Sequence, residues 1–590
     1  MNNSPAGVIG VVGAGTMGEG IAQVALQSGY SVVLFDIQAD VLQRAVSDIH
    51  KKINRLVDKG KLTREAADGA VARLAASQDI AHLAQAQLVI EAVPERLNIK
   101  RDIFRQLEQV CSKDTILATN TSSLSVTVIG AGCQYPGRVV GMHFFNPAPV
   151  MKLVEVVVGD DTTSEVVDAV VRLARSFGKH PIVCKDTPGF IVNRVARNFY
   201  GEALRIVGEG TADPADVDWL MENGAGFRMG PFALMDLIGI DVNLDVTKAV
   251  YHAYHEEPRF RPHALQARMV AAGRLGRKTG RGFYSYDTAD AAATEVPAQL
   301  DRNACAEQAT TQVGNVVVIG DTPLASSLLR RVAERAGKSL ANAGVAYDGA
   351  LADWDTVGIQ WRADEVEAFL RRCRPDIVLV GVAGEEAYHR PLLQAVERAV
   401  GEDVLILTSV AGPSATEQAG WLRRGDRVRG FHVILGDNGF VKEAHPAFEW
   451  TVPFQAQTSD AEAEERWNRR TEALALSLGC VPRQVRDGAG GVVMRILAML
   501  FNEAAEVMRE GVATAEDIDT GMKLGTNYPR GPVEWMDDLG IPVVWNTLCA
   551  LSREFGDDRY RPSPLLRQMV TAVRHGNREG GSVQWASLTK

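Results

Sequence analysis

Cysteine is scarce and scattered. Seven occur in 590 residues, at positions 111, 133, 184, 305, 373, 480 and 549, and none are spaced as C-x-x-C. An odd, dispersed set excludes a disulfide framework and most zinc sites, and it suits a reducing compartment. No metal is expected. Basic residues are also in deficit: 63 Lys and Arg stand against 73 Asp and Glu, a net charge of −10. Partners such as nucleic acid or an anionic membrane need the opposite sign, so neither is expected. No segment reaches roughly 18 unbroken apolar residues, the length that would suggest a membrane span. The opening MNNSPAGVIGVVGAG lacks the basic start of a secretory signal. A cytoplasmic location is therefore expected.

What is present is ordinary globular composition, 46% hydrophobic and 23% charged, in a chain long enough for about three to five domains. It is also repeated. Glu202–Ile240 and Glu503–Ile541 align without a gap, with 15 of 39 positions identical. Upstream, RVVGMHFFNP (138–147) is echoed by RVRGFHVILG (427–436), and VIGVVGAGTMGEG (8–20) by NVVVIGDTPLASS (315–327). Two successive versions of one two-part unit are implied.

Within each unit, short β-branched runs such as VIGVVGAG, SVVLFD and AQLVIEAV alternate with helix-like stretches. That pattern implies a largely parallel sheet covered on both faces. After about residue 186 the strand signals stop, and Asp213-Pro214 reads as a helix start. The expected fold is an α/β Rossmann-type domain plus an all-α domain, tandemly duplicated. The boundaries read as 1–185, 186–290, a linker at 291–312, 313–483 and 484–590.

The sharpest local signal is Gly13-Ala14-Gly15-Thr16-Met17-Gly18. It ends one strand, opens a helix, and is followed by a second strand ending in Asp36. Gly13 makes the turn, Gly15 lets a pyrophosphate approach the backbone, and Gly18 lets helix and strand pack. Asp36 would accept from the ribose hydroxyls and repel a 2′-phosphate, so NAD is expected over NADP.

These motifs and their order resemble the L-3-hydroxyacyl-CoA dehydrogenase family. The resemblance rests on GAGTMGEGIA (13–22), EAVPERLNIK (91–100), NTSSLSVT (120–127), GMHFFNPAPVMKLVEVV (141–157), KDTPGFIVNR (185–194), GPFALMDLIGID (230–241) and GRKTGRGFYSY (276–286). It implies NAD-dependent oxidation of a (S)-3-hydroxyacyl-CoA to the 3-oxoacyl-CoA, as in β-oxidation. Oxidising an alcohol needs a base near neutrality, and His143 is such a group, with Glu155 on the next strand as its orienter. By resemblance, Ser122 and Asn193 contact the reacting oxygen. Glu95, Lys100, Asn146 and Lys278 lie around nicotinamide and ribose, and Lys59 near the CoA phosphates. The basic run Arg274, Arg277, Lys278, Arg281 is the local exception to the acidic balance. The same fold and motifs are shared by L-gulonate-type dehydrogenases, so a free hydroxyacid substrate is an alternative, as is a non-catalytic NAD-binding protein.

The second unit departs from this pattern. Its loop reads Gly320-Asp321-Thr322-Pro323-Leu324-Ala325, where Asp321 would repel a pyrophosphate and Pro323 removes a donor. Counting from the motifs places Val410 at the position of Ser122, Thr451 at that of Glu155 and Met494 at that of Asn193, with only His432 retained. This half is expected to be catalytically silent. Its helical segment is expected to cover that of the first, giving a pseudo-dimeric monomer or a homodimer built on another surface.

Overall fold

The β-branched runs become strands. In the computed structural model β1 (Val8–Val12), β2 (Ser31–Phe35), β3 (Leu74–Ser77), β4 (Leu88–Glu91), β5 (Ile116–Thr119), β6 (Val139–Phe144), β7 (Leu153–Val158) and β8 (His180–Lys185) form one sheet. Their order is β3-β2-β1-β4-β5-β6-β7-β8. β1 to β6 are parallel, while β7 runs antiparallel to β6 and β8 follows β7. β4 and β6 are buried at every residue, as expected for strands covered on both faces. β3 was not foreseen: LAAS has no β-branched residue, and its pairing with β2 makes it a strand.

The structure describes residues 7–286, 313–320, 322–335, 363–382, 386–435, 446–458 and 461–579. The expected linker 291–312 and Asp321 lie outside them. In the second half β9 (Val316–Ile319), β10 (Ile377–Val380), β11 (Leu405–Ser409), β12 (Val428–Val433), β13 (Ala447–Val452) and β14 (Val481–Arg486) run in the order β14-β13-β12-β11-β10-β9. This repeats β8-β7-β6-β5-β4-β1. Among the described residues β2 and β3 have no counterpart, and β9 is the edge.

The chain divides into two compact units, Met1–Arg194 with Glu510–Asn527, and Val195–Arg509 with Tyr528–Lys590. The division cuts across the duplication. In the first unit the helix Ala515–Thr526, from the second half of the sequence, packs on β7 and β8. Two glycines permit the approach: a Cβ on Gly521 would lie 2.9 Å from Ile182, and one on Gly525 2.8 Å from Leu153. Lys185 N donates to Val512 O at 3.0 Å, and Arg194 Nη1 to Glu510 Oε2 at 2.7 Å.

The second unit repeats these contacts in reverse. There the helix Pro214–Asn223, from the first half, packs on β13. Asp213 precedes it and Pro214 is its first residue, as the sequence suggested. Arg486 N donates to Thr211 O at 3.0 Å, and Arg495 Nη1 to Glu209 Oε2 at 2.7 Å. Each half thus lends a helix to the other's sheet.

Helices of the two halves also meet inside the second unit. Phe227 stacks on Phe199 at 4.7 Å and meets Tyr528 edge-on at 4.9 Å. Glu202 is fully buried and accepts from Arg495 Nε at 2.6 Å, Arg559 Nε at 2.8 Å and the Tyr560 hydroxyl at 2.7 Å. Burial alone would push its carboxyl up, but Arg559 and Arg495 outweigh that and hold it down at about 2. The reverse pair, Arg259 Nε to Glu503 Oε2, is 2.9 Å.

Candidate active site

The loop between β1 and the helix Thr16–Gln27 is shaped by close approach. Gly13 sits at φ 98°, which L side chains rarely adopt, and a Cβ there would lie 2.7 Å from Ala92 O. A Cβ on Gly18 would lie 1.7 Å from Gly13 O, so no other residue fits. Beyond Gly15 there is nothing within 4 Å of where a Cβ would be. That gap, at the start of a twelve-residue helix, is where a pyrophosphate could lie against the backbone. Asp36 closes the far end of the loop. Its Oδ2 accepts from Ala14 N at 2.8 Å and its Oδ1 from Gln38 N at 2.9 Å.

β6 and β7 carry His143 and Glu155. Because they are antiparallel, His143 and Glu155 fall directly opposite each other. His143 Nδ1 is 2.7 Å from Glu155 Oε2. The other oxygen, Oε1, accepts from Ile191 N at 3.1 Å and Val192 N at 3.0 Å, two amides at the start of the next helix. Glu155 is fully buried and its oxygens are fixed. With Nδ1 so engaged, Nε2 is the ring nitrogen available to take a proton from a substrate.

Around this pair, the loop after β5 is organised by Glu95. Its Oε1 accepts from Thr121 Oγ1 at 2.6 Å, Ser122 N at 2.9 Å and Ser123 N at 3.0 Å. Burial would raise the Glu95 carboxyl, yet Lys100 and these donors together hold it below the usual carboxylate range. Lys100 itself is walled in, 1% exposed, with Nζ 2.8 Å from Glu91 and 3.2 Å from Glu95. What it offers the site is charge, delivered through Glu95. Ser122 and Asn193 are half-buried, whereas Asn146, just beyond β6, is exposed. Lys59 is exposed at the end of the helix Ala39–Asp58. Lys278 belongs to the other unit, where its Nζ is 2.5 Å from Asp241. Two contributors were missed in the sequence. Asn120 Oδ1 accepts from Phe144 N at 2.8 Å, and Asp186 Oδ2 accepts from Ser125 Oγ at 2.6 Å.

Known proteins resemble this chain. The 3-hydroxyacyl-CoA dehydrogenase NAD-binding domain matches residues 8–187, and the C-terminal domain of the same enzymes matches twice, at 189–286 and 490–585. A 3-hydroxyadipyl-CoA dehydrogenase of Escherichia coli is 37% identical, covering 95% of this chain and 96% of the relative. The chain belongs to the 3-hydroxyacyl-CoA dehydrogenase family. Its cofactor is NAD. A crystal structure of an E. coli 3-hydroxybutyryl-CoA dehydrogenase covers 97% of this chain and 99% of its own, with TM-score 0.73 and 35% identity. A probable 3-hydroxybutyryl-CoA dehydrogenase of Deinococcus radiodurans is 42% identical, but it matches only 47% of this chain while covering 99% of its own length. The loop at Gly13–Gly18 and Asp36 fit the dinucleotide that such dehydrogenases use.

The second half of this dehydrogenase corrects two expectations. His432 is paired in register with Glu449, as His143 is with Glu155. Glu449 accepts from Val492 N and Val493 N, matching Ile191 and Val192. The counterpart of Glu155 is therefore Glu449 and not Thr451, whose hydroxyl bonds Asp487. Counting along the chain overshot by two residues, because the β6–β7 and β12–β13 connections differ in length and the motif echo does not fix by how much. Likewise Ser414 caps its helix as Ser125 does, which places Ala411, rather than Val410, at the position of Ser122. Met494 takes the place of Asn193.

The retained pair is not a dyad. Among the described residues neither nitrogen of His432 has a hydrogen-bond partner. Burial pushes the imidazole down to about 4 and the Glu449 carboxyl up to about 7, the latter despite its two backbone donors. The nucleotide loop also differs. Thr322 stands at the position of Gly15, and its hydroxyl donates to Gly381 O at 2.7 Å.

Proposed function

We propose that the first half alone carries out the chemistry, with His143 as general base, Glu155 as its orienter, and Ser122 and Asn193 as donors to the reacting oxygen. The observation that carries this reading is the 2.7 Å contact from His143 Nδ1 to a fully buried Glu155. Bound NAD would rest on the Gly13–Gly18 loop with its ribose at Asp36, and it supplies the hydride acceptor. His143 takes the 3-hydroxyl proton at Nε2, and the Glu155 carboxylate steadies the imidazolium that results. Donors at Ser122 and Asn193 favour the carbonyl oxygen as it forms. Lys100 acts as a positioning residue, fixing Glu95 and through it the Ser122 loop.

The substrate is read as an acyl-CoA thioester, with Lys59 near its phosphates. Relatives that resemble the chain at 37% to 43% identity carry acyl-CoA names, which favours this over a free hydroxyacid or a non-catalytic role. The chain is read as a cytoplasmic pseudo-dimer, the second half supplying the helical partner. Among the described residues no helix is long and apolar enough to cross a membrane. The deciding experiment is NADH oxidation with acetoacetyl-CoA and with 3-oxoadipyl-CoA, beside NADPH and free 3-oxoacids. Turnover with a thioester and NADH is expected. Turnover only with free acids would replace the thioester reading, and none with any substrate would favour the non-catalytic one.

A further inference from the structure

The second half contains a cavity of about 90 Å³ at the carboxyl ends of its strands. Leu324, Val382, Val543, Ala411, Met494 and His432 are among its walls. Three of these stand at the register positions of the first half's reacting groups, with Ala411 for Ser122, Met494 for Asn193 and His432 for His143. The replacements make this end of the cavity more apolar; Thr322, Ser327, Ser409 and Asp538 also line it, and the polar group left at the old reacting centre is His432. His432 is only 4% exposed, and among the described residues neither of its nitrogens has a partner. A buried polar group left unmatched is costly and rare, and a ligand atom in the cavity would satisfy it.

The chemistry of the walls narrows the ligand. Burial holds the His432 imidazole at about 4, so near neutrality it offers one N–H donor and one acceptor, and no charge. A carbonyl oxygen suits that donor, whereas a carboxylate would find no cation in it. Leu324, Val382, Ala411, Met494, Leu539 and Val543 beside it suit hydrocarbon, and the Asp538 carboxylate on another wall disfavours an anionic acyl end. A cavity of about 150 Å³ accommodates the six carbons of benzene, so about 90 Å³ corresponds to roughly four. A dinucleotide finds no glycine loop here: Thr322 stands in place of Gly15, its hydroxyl held between Gly381 O and Ala325 N, and Pro323, which lacks an N–H, begins the helix. Without a hydride acceptor, binding here leads to no oxidation.

We propose that this cavity is a second, non-catalytic acyl site, which takes the short acyl end of an acyl thioester with its carbonyl oxygen on His432. The choice of thioester rests on the acyl-CoA reading of the first half. The test is calorimetric titration of the full chain with butyryl-CoA, beside Ala411→Leu and Met494→Phe, which fill the cavity. Thermal unfolding of each variant reports whether it is folded. The expected result is one equivalent of butyryl-CoA fewer in both variants than in the parent. Equal stoichiometry in all three would overturn the site. A second measurement uses the unaltered chain: the imidazole ¹⁵N resonances of His432 shift on adding butyryl-CoA, and unchanged resonances would overturn it too. Acetoacetyl-CoA turnover is measured in parallel on the parent. Turnover with no second equivalent sinks this site alone. Absence of both turnover and butyryl-CoA binding sinks the thioester reading, and this site with it.

Discussion

The two halves place a histidine and a glutamate at matching register positions, and only one pair is joined. His143 and Glu155 meet at 2.7 Å, whereas among the described residues the His432 ring nitrogens have no hydrogen-bond partner. The difference lies in what each glutamate is needed for. Glu155 serves the imidazole with one oxygen and two helix-start amides with the other. Glu449 keeps the amides of Val492 and Val493. Exposed N–H groups at a helix start need an acceptor whether or not the site reacts. A retained glutamate is therefore weak testimony of catalysis, and the hydrogen bond to histidine is strong testimony.

The largest effect should come from removing the joined histidine. His143→Ala is expected to lower kcat for acetoacetyl-CoA reduction by about 10²–10⁴-fold. Undiminished turnover would mean that the second half reacts, and the contrast between the halves would fail. Next is the contact that binds the halves' helices. Glu202→Ala leaves Arg559 buried without its carboxylate and Arg495 with Glu209 alone, and should cost about 3–5 kcal/mol in urea unfolding. Because Glu202 is held at about 2, below its unfolded value, its contribution is present above about pH 4.5. It is lost as pH falls toward 2, so parent and Glu202→Gln should converge in that range.

Glu449 should show the opposite sign. Its carboxyl is raised to about 7, so the folded chain holds a proton that the unfolded chain releases above about pH 4.5. Stability should fall by about 2–3 kcal/mol as pH rises from 4.5 through 7. Glu449→Gln should flatten that slope, and an unchanged slope would place the titration elsewhere. The smallest effect comes from giving the first loop the second loop's residue. Gly15→Thr finds open space and φ −71°, so the fold should persist while NAD affinity drops about tenfold or more, read by fluorescence titration. Unaltered affinity would mean that Thr322 is not what sets the second loop apart.

Much of this molecule could be read from its residues in order. The Gly13–Gly18 loop, Asp36, the alternation of strand and helix, and the duplication all depend on short-range spacing, because turns, periodicity and helix starts are local properties. His143 and Glu155 were legible for the same reason, since a short connection between adjacent antiparallel strands fixes the count between them. Tertiary structure alone decided the rest. LAAS became β3 through its neighbour, the helices Ala515–Thr526 and Pro214–Asn223 each joined the other half's sheet, and Glu449 and Ala411 displaced Thr451 and Val410. In each instance the deciding contact joins segments whose separation along the chain is variable, so backbone register, rather than residue counting, determines which side chains meet.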